Sequence, residues 1–323
     1  IQGVSFFLSD LLSDNLVYFD LATYQGRNFG SVFENVNALG VYINQSRRLN
    51  WGLGAFRSKG SNYDGLQTVA YEETSTGVLG LLRYPFSAYT RVEGAMVVEH
   101  SDRTDFSPPF NEPRRVGWLA SHYLSLVHGN SLWLPTGPID GGRVSVTAGI
   151  TSDFSNARFD SYSLSGDWRY YHRLGRRSAY AIRTLGFYSG GDRPTRINIG
   201  GTTALRGYPY YGFIVGSKAY MFNQELRFPL LDYLTLGFPV GDVRFPEVQG
   251  AFFLDLGKAW FDRDERRALL GSWGVSFRWP LGPLAVLRLD WGRRFSDNNF
   301  QGYGLSPDQR DRSFLSVFFG YNY

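Results

Sequence analysis

The chain has 323 residues, 17% of them aromatic, with 38 Gly, 43% hydrophobic residues and no Cys, so disulfides, thiolate metal sites and cysteine nucleophiles are excluded. No stretch approaches the roughly 20 consecutive apolar residues of a transmembrane helix, yet a β-barrel can still cross a bilayer on strands of about 9–11 alternating residues. The formal charge is only +4, carried almost entirely by dispersed Arg, which excludes the clustered basic stripes expected of a nucleic-acid-binding protein.

Period-2 alternation runs from end to end and predicts an all-β chain. Fifteen strands are expected at 2–9, 15–24, 36–45, 50–58, 76–84, 89–99, 116–126, 142–151, 157–171, 177–189, 217–228, 247–258, 271–279, 284–293 and 313–322. The clearest sets Tyr220, Phe222, Gln224, Leu226 and Phe228 against Met221, Asn223, Glu225 and Arg227. Successive side chains of a strand face opposite sides, so the first set meets lipid and the second lines water. The next strand opposes Val248, Gly250, Phe252, Leu254 and Leu256 to Gln249, Ala251, Phe253, Asp255 and Gly257. Further on, Trp273, Val275 and Phe277 alternate with Gly274, Ser276 and Arg278, and Leu287, Leu289 and Trp291 with Arg288, Asp290 and Gly292. Charge confined to one face does not suit a soluble sandwich. The fold class expected is a transmembrane antiparallel β-barrel of about 16 strands, the sixteenth lying before Ile1 or being assembled differently.

Long polar loops (25–35, 59–75, 100–115, 190–216, 294–312) alternate with shorter turns, as extracellular loops and periplasmic turns do in a bacterial outer membrane. Two turns break the pattern, 127–141 and 229–246; both are rich in Leu and Pro and are candidates to lie along the inner membrane surface or hold a partner. The final strand puts Phe319, Tyr321 and Tyr323 on one face, similar to the C-terminal signal of outer-membrane barrels.

Three motifs occur in order: Leu205-Arg206-Gly207-Tyr208 in loop 190–216, Glu225-Leu226-Arg227-Phe228-Pro229-Leu230 in the following strand, and Phe253-Leu254-Asp255-Leu256-Gly257 in the one after. The first resembles the Val-Arg-Gly-Phe/Tyr signature in the sixth extracellular loop of the BamA/TamA superfamily (bacterial surface antigen type), and the third matches that family's Phe-x-Asp-x-Gly. The resemblance implies a long extracellular loop folded into the lumen, with Glu225, Arg227, Phe253, Asp255 and Gly257 as its partners on the wall. From the residues alone Arg206 reads as a solvated loop charge; under the resemblance it forks to Asp255, Glu225 or both. Gly207 then lets the backbone turn or approach closely, and Tyr208 packs against the wall.

The segment from Phe6 to Asp14 and the run from Phe228 to Phe253 look like members of the superfamily that follow a β-propeller; other members carry POTRA modules upstream. Residues 1–323 are thus expected to be one barrel domain, with a periplasmic domain and a first strand upstream. Of the four histidines none lies in HExxH or zinc-like spacing, and His122 reads as a lumen or interface residue. No metal, cofactor or catalytic constellation is expected.

The resemblance implies insertion or translocation of polypeptides at the bacterial outer membrane, without enzymatic chemistry, through a lateral seam between first and last strands. The partners so implied are outer-membrane lipid, unfolded barrel or secreted polypeptide clients, and a periplasmic or lipoprotein partner. A membrane anchor or scaffold for a fused or bound protein, and a passive pore, are the alternatives.

Overall fold

A computed structural model describes residues 2–23, 36–64, 69–105, 115–210, 214–238, 241–262, 267–281, 286–297, 300, 303 and 313–320. Among them the strands, in chain order, are β1 (Gln2–Ser9), β2 (Asn15–Thr23), β3 (Val36–Asn44), β4 (Asn50–Asp64), β5 (Val69–Pro85), β6 (Thr90–Asp105), β7 (Arg115–Gly129), β8 (Leu132–Leu134) and β9 (Gly137–Asp153). They continue with β10 (Arg158–Arg173), β11 (Ala179–Gly190), β12 (Ile197–Asn198), β13 (Val215–Gly216), β14 (Lys218–Phe238), β15 (Gly241–Trp260), β16 (Leu270–Pro280), β17 (Val286–Ser296) and β18 (Ser313–Gly320). No helix among the described residues is long and apolar enough to cross a membrane, which says nothing of crossing by strands.

Sixteen strands form one sheet in the order β1-β2-β3-β4-β5-β6-β7-β9-β10-β11-β14-β15-β16-β17-β18, with β8 paired to β9. The fifteen strands of that path are the fifteen expected ones. The count of sixteen includes β8, a three-residue strand inside the 127–141 turn that lies off this path and pairs with β9. Hairpin connections make neighbours in sequence neighbours in the sheet, as antiparallel strands with short links allow. The turns are held by short polar side chains. In the first, the Asp10 carboxylate accepts from the Asn15 backbone N–H at 3.2 Å and its side-chain amide at 2.8 Å. In another, Ser87 Oγ accepts from the backbone N–H groups of Tyr89 and Thr90.

Several expected loops are strand. Residues 59–64 and 69–75 extend β4 and β5, and the paired part of the 229–246 turn is a continuation of β14 and β15 that reaches Phe238↔Gly241. Pro229 has no N–H to give to the ladder, and the register shifts there, between Pro229 and Leu231. A proline that reads as a strand terminator is accommodated by this irregularity. The expected loop 25–35 lies outside the described residues, as do 106–114 of the expected loop 100–115 and most of 298–312 in the expected loop 294–312.

The sheet inverts the burial of a soluble protein. Arg278, Asp255 and Asp290 are at most 1% exposed, while Leu53, Leu124, Trp291 and Leu315 are more than 60% exposed. His122 lies on the exposed face of β7 with Leu124 and Leu126, the apolar side of that strand.

The chain packs as two compact units, residues 1–127 with 146–164 and 189–195, and residues 128–145 with 165–188 and 196–323. In the first unit, strands pass close to one another at glycine: a Cβ at Gly54 would sit 2.7 Å from the Gly40 carbonyl oxygen, and one at Gly77 2.4 Å from that of Val98. In the second, a hydrophobic cluster of Ile199, Leu205, Tyr208, Ile214, Ala219, Ala259, Ala268, Leu270, Phe300 and Tyr303 packs the 196–217 segment onto β14, β15 and β16.

Candidate functional site

The segment that carries Arg206 is organised by its own backbone before it meets the sheet. β12 and β13 pair through Ile197↔Gly216 and Asn198↔Val215 and close its base. Above them Ile199 N–H donates to Ile214 O at 3.1 Å, Leu205 N–H to Ile199 O at 2.9 Å and Gly201 N–H to Tyr208 O at 3.0 Å. Leu205 is fully buried, and it packs in the cluster as the apolar peg beside the arginine.

Arg206 spends all three guanidinium nitrogens on two carboxylates. Its Nε and Nη2 donate to Asp255 at 2.7 and 2.8 Å, a two-pronged pair, and its Nη1 donates to Glu225 Oε2 at 2.9 Å. Its backbone N–H reaches Asp255 as well, at 3.3 Å. The guanidinium carbon lies 3.8 Å from the centroid of the Phe253 ring, whose face attracts the cation. Burial alone would lower the Arg206 pKa; Asp255, and then Glu225, overcome it and hold the group above its ordinary value.

Glu225 is shared. Its Oε1 accepts from Arg227 Nε at 2.8 Å and Arg278 Nη2 at 2.5 Å, and Arg227 Nη1 continues to Pro138 O at 2.7 Å. Behind it Asp290 accepts from Ser276 Oγ at 2.6 Å and Arg288 Nε at 3.1 Å, while Arg288 Nη2 donates to Thr202 O in the segment itself.

One row of the sheet explains how the segment comes so close. Glu225↔Phe253, Phe253↔Gly274, Gly274↔Gly292 and Gly292↔Phe314 are successive register partners across β14 to β18. The two central glycines leave a trough over which the flanking rings fold: a Cβ on Gly292 would lie 3.0 Å from Phe314 Cζ and 3.1 Å from Phe253 Cζ. Arg206 stacks on the first ring. Gly207, at φ +84°, passes the second so closely that a Cβ would stand 2.5 Å from Phe314 Cε1. Gly257 leaves room for Ile199 and Leu205. Tyr208 turns into the cluster, with its hydroxyl 2.8 Å from Gly271 O and 3.0 Å from Phe295 O. Burial pushes its pKa up.

The structure thus brings Leu205, Arg206, Gly207, Tyr208, Glu225, Arg227, Phe253, Asp255 and Gly257 to one place. Sequence reasoning did not assign Arg278, Arg288, Asp290, Arg294 or Phe314 to it, although Arg294 Nε donates to Gly207 O. Their available signal was position on the same face of β16, β17 and β18. Phe319 lies on the exposed face of β18, 68% exposed, beside Leu315 and Val317. Tyr321 and Tyr323 lie outside the described residues. No group of three or more His, Cys, Asp or Glu side chains among the described residues is placed to hold a metal ion.

Comparison with solved structures finds the same fold in distant sequences. BamA from Haemophilus ducreyi lacking POTRA domains 1-3 superposes with a TM-score of 0.67 at 14% identity, over 98% of this chain and 69% of that one. CdiB from Acinetobacter baumannii gives 0.57 at 14%, covering 98% of this chain and 55% of that one, and CdiB from Escherichia coli 0.57 at 12%, covering 98% and 57%. This chain therefore spans little more than half of each CdiB, and at such identities the likeness is one of fold: an all-β antiparallel barrel. No curated protein matches in sequence. The Omp85 superfamily domain, however, matches residues 27–306, most of the chain, and the protein belongs to the Omp85 superfamily.

Proposed function

We propose that this chain is the transmembrane barrel of a bacterial outer-membrane protein that inserts or translocates polypeptides without covalent chemistry. Its exposed apolar face meets outer-membrane lipid, and a periplasmic domain upstream, or a periplasmic or lipoprotein partner, delivers unfolded barrel or secreted clients. The observation that carries this reading is the buried grip of Asp255 and Glu225 on Arg206 in a member of this superfamily. A buried ion pair adds little net stability because its desolvation offsets its attraction, so its effect is to fix where the 196–217 segment sits. A machine that must open its wall needs such an internal reference.

The place of opening is a lateral seam at the last strand. β18 stands at one end of the pairing order with β1 at the other, and its Gly320 has φ +154°. The backbone groups along the edge of a sheet are a template for an incoming strand.

Residues 1–323 contain no Cys, so an introduced cysteine is the one thiol of the barrel. A single Val317→Cys, cross-linked during assembly in cells, is expected to capture many unfolded polypeptides, and Arg206→Ala to reduce that yield. Capture of one stoichiometric protein would sink the transport reading in favour of a scaffold. The scaffold reading has one observation behind it: Leu230, Leu231 and Tyr233, on the extension of β14, are about half exposed and suit a docked partner.

A further inference from the structure

Beside the anchored segment lies a cavity of about 370 Å³, and its wall is rich in guanidinium groups. Arg169, Arg183, Arg206, Arg227, Arg278 and Arg288 all contribute to it, with Glu225 as the one carboxylate on the lining. The carboxylates paired with these six are Asp167, Glu225, Asp255 and Asp290, among the described residues. Among the described residues these six cations share four carboxylates, and Arg143 lines the cavity as well. Cationic groups withdrawn from water are costly, and the cost falls when a counter-ion enters.

Arg278 is the arginine with the most unmet donors. Its side chain is 2% exposed, one nitrogen is engaged by Glu225, and its Nε and Nη1 are buried without a hydrogen-bond partner among the described residues. Glu225 cannot satisfy it further, since that carboxylate already serves Arg206 and Arg227. A planar fork of donors matches a tetrahedral oxyanion with several acceptor oxygens, and arginines gathered on one wall can share the charge of a dianion.

We propose that this cavity is an anion site for a small dianionic oxyanion of the phosphate class. The inference is independent of the transport reading, since it rests on the arginine-rich lining, the cavity and the two unmatched nitrogens of Arg278. The oxyanion is either free phosphate or the phosphomonoester of a lipid headgroup, which offer the same chemistry.

The test uses the full chain in a phosphate-free maltoside detergent, titrated calorimetrically with inorganic phosphate at constant ionic strength set by chloride. Saturable binding is expected, weakened at least about tenfold, or about 1.4 kcal/mol, by Arg278→Gln. Should Arg278→Gln fail to fold, Thr203→Glu decides: it places a carboxylate at an exposed cavity-lining position, and loss of phosphate binding with an unchanged melting temperature is expected. Arg177→Gln, at an exposed pair with Asp232 away from the cavity, should bind as the parent does. Saturation by inorganic phosphate assigns the free ion, and saturation by short-chain phosphatidic acid alone assigns a lipid headgroup; both support the site. No saturable binding of either, preference for tri-glutamate, or binding unaltered by Thr203→Glu and by any folded Arg278→Gln would overturn it.

Discussion

The two units of the chain use charge on the same face of the same kind of strand, with different results. In the first, Glu93 receives Arg83 at 3.0 Å and Arg91 at 2.6 Å, with side chains 30–49% exposed. In the second, Arg206, Glu225 and Asp255 meet at similar distances with side chains at most 8% exposed. Strand alternation is common to both, so it does not set the burial. In the second unit a segment of chain has been laid over the pairs and removes their water. The same two residue types therefore form a screened surface pair of small energetic weight in one place and a desolvated latch in the other.

The comparison breaks most completely at Asp255. Asp255→Ala leaves the Arg206 guanidinium buried beside one remaining partner, and a loss of about 3–5 kcal/mol in stability is expected, read by denaturant unfolding followed through Trp fluorescence. An unchanged midpoint would mean that the segment is not held by this pair. Next is Gly207→Ala, which combines a left-handed backbone with the close approach to Phe314; about 1–3 kcal/mol should be lost. A Phe314→Ala background should return part of it, and additive losses in that double-mutant cycle would argue against contact. Tyr208→Phe removes one buried hydroxyl from the carbonyls of Gly271 and Phe295 and should cost about 1 kcal/mol in the same assay. The smallest effect is expected at Glu93→Gln in the first unit, less than about 1 kcal/mol and fading with added salt. A salt-independent loss as large as that of Asp255→Ala would erase the distinction between the units.

Much of the strand pattern was legible because period 2 is a local property. The opposition of Glu225 and Arg227 to Leu226, or of Arg288 and Asp290 to Leu289, can be read from the order of residues and reappears in their burial. The 229–246 stretch reads as a turn rich in Leu and Pro, and only the partner strand reveals that a register shift absorbs Pro229 and lets the pairing continue. Strands β4 and β5 likewise run past the point where apolar and polar residues stop alternating, since backbone pairing continues where no side-chain pattern marks it.

The chain by itself determined which side chains share a face, because that follows from the geometry of one extended strand. It also held Arg206, Gly207, Glu225 and Asp255 in an order whose resemblance to a family suggested their meeting. Which charges lose their water was decided by the fold alone. Gly274 and Gly292 become a trough, Phe314 a neighbour of Gly207 and Arg278 a buried cation with two unmatched nitrogens only when β14 to β18 stand side by side with the 196–217 segment across them. Desolvation depends on what covers a group, and here what covers it comes from a distant part of the sequence.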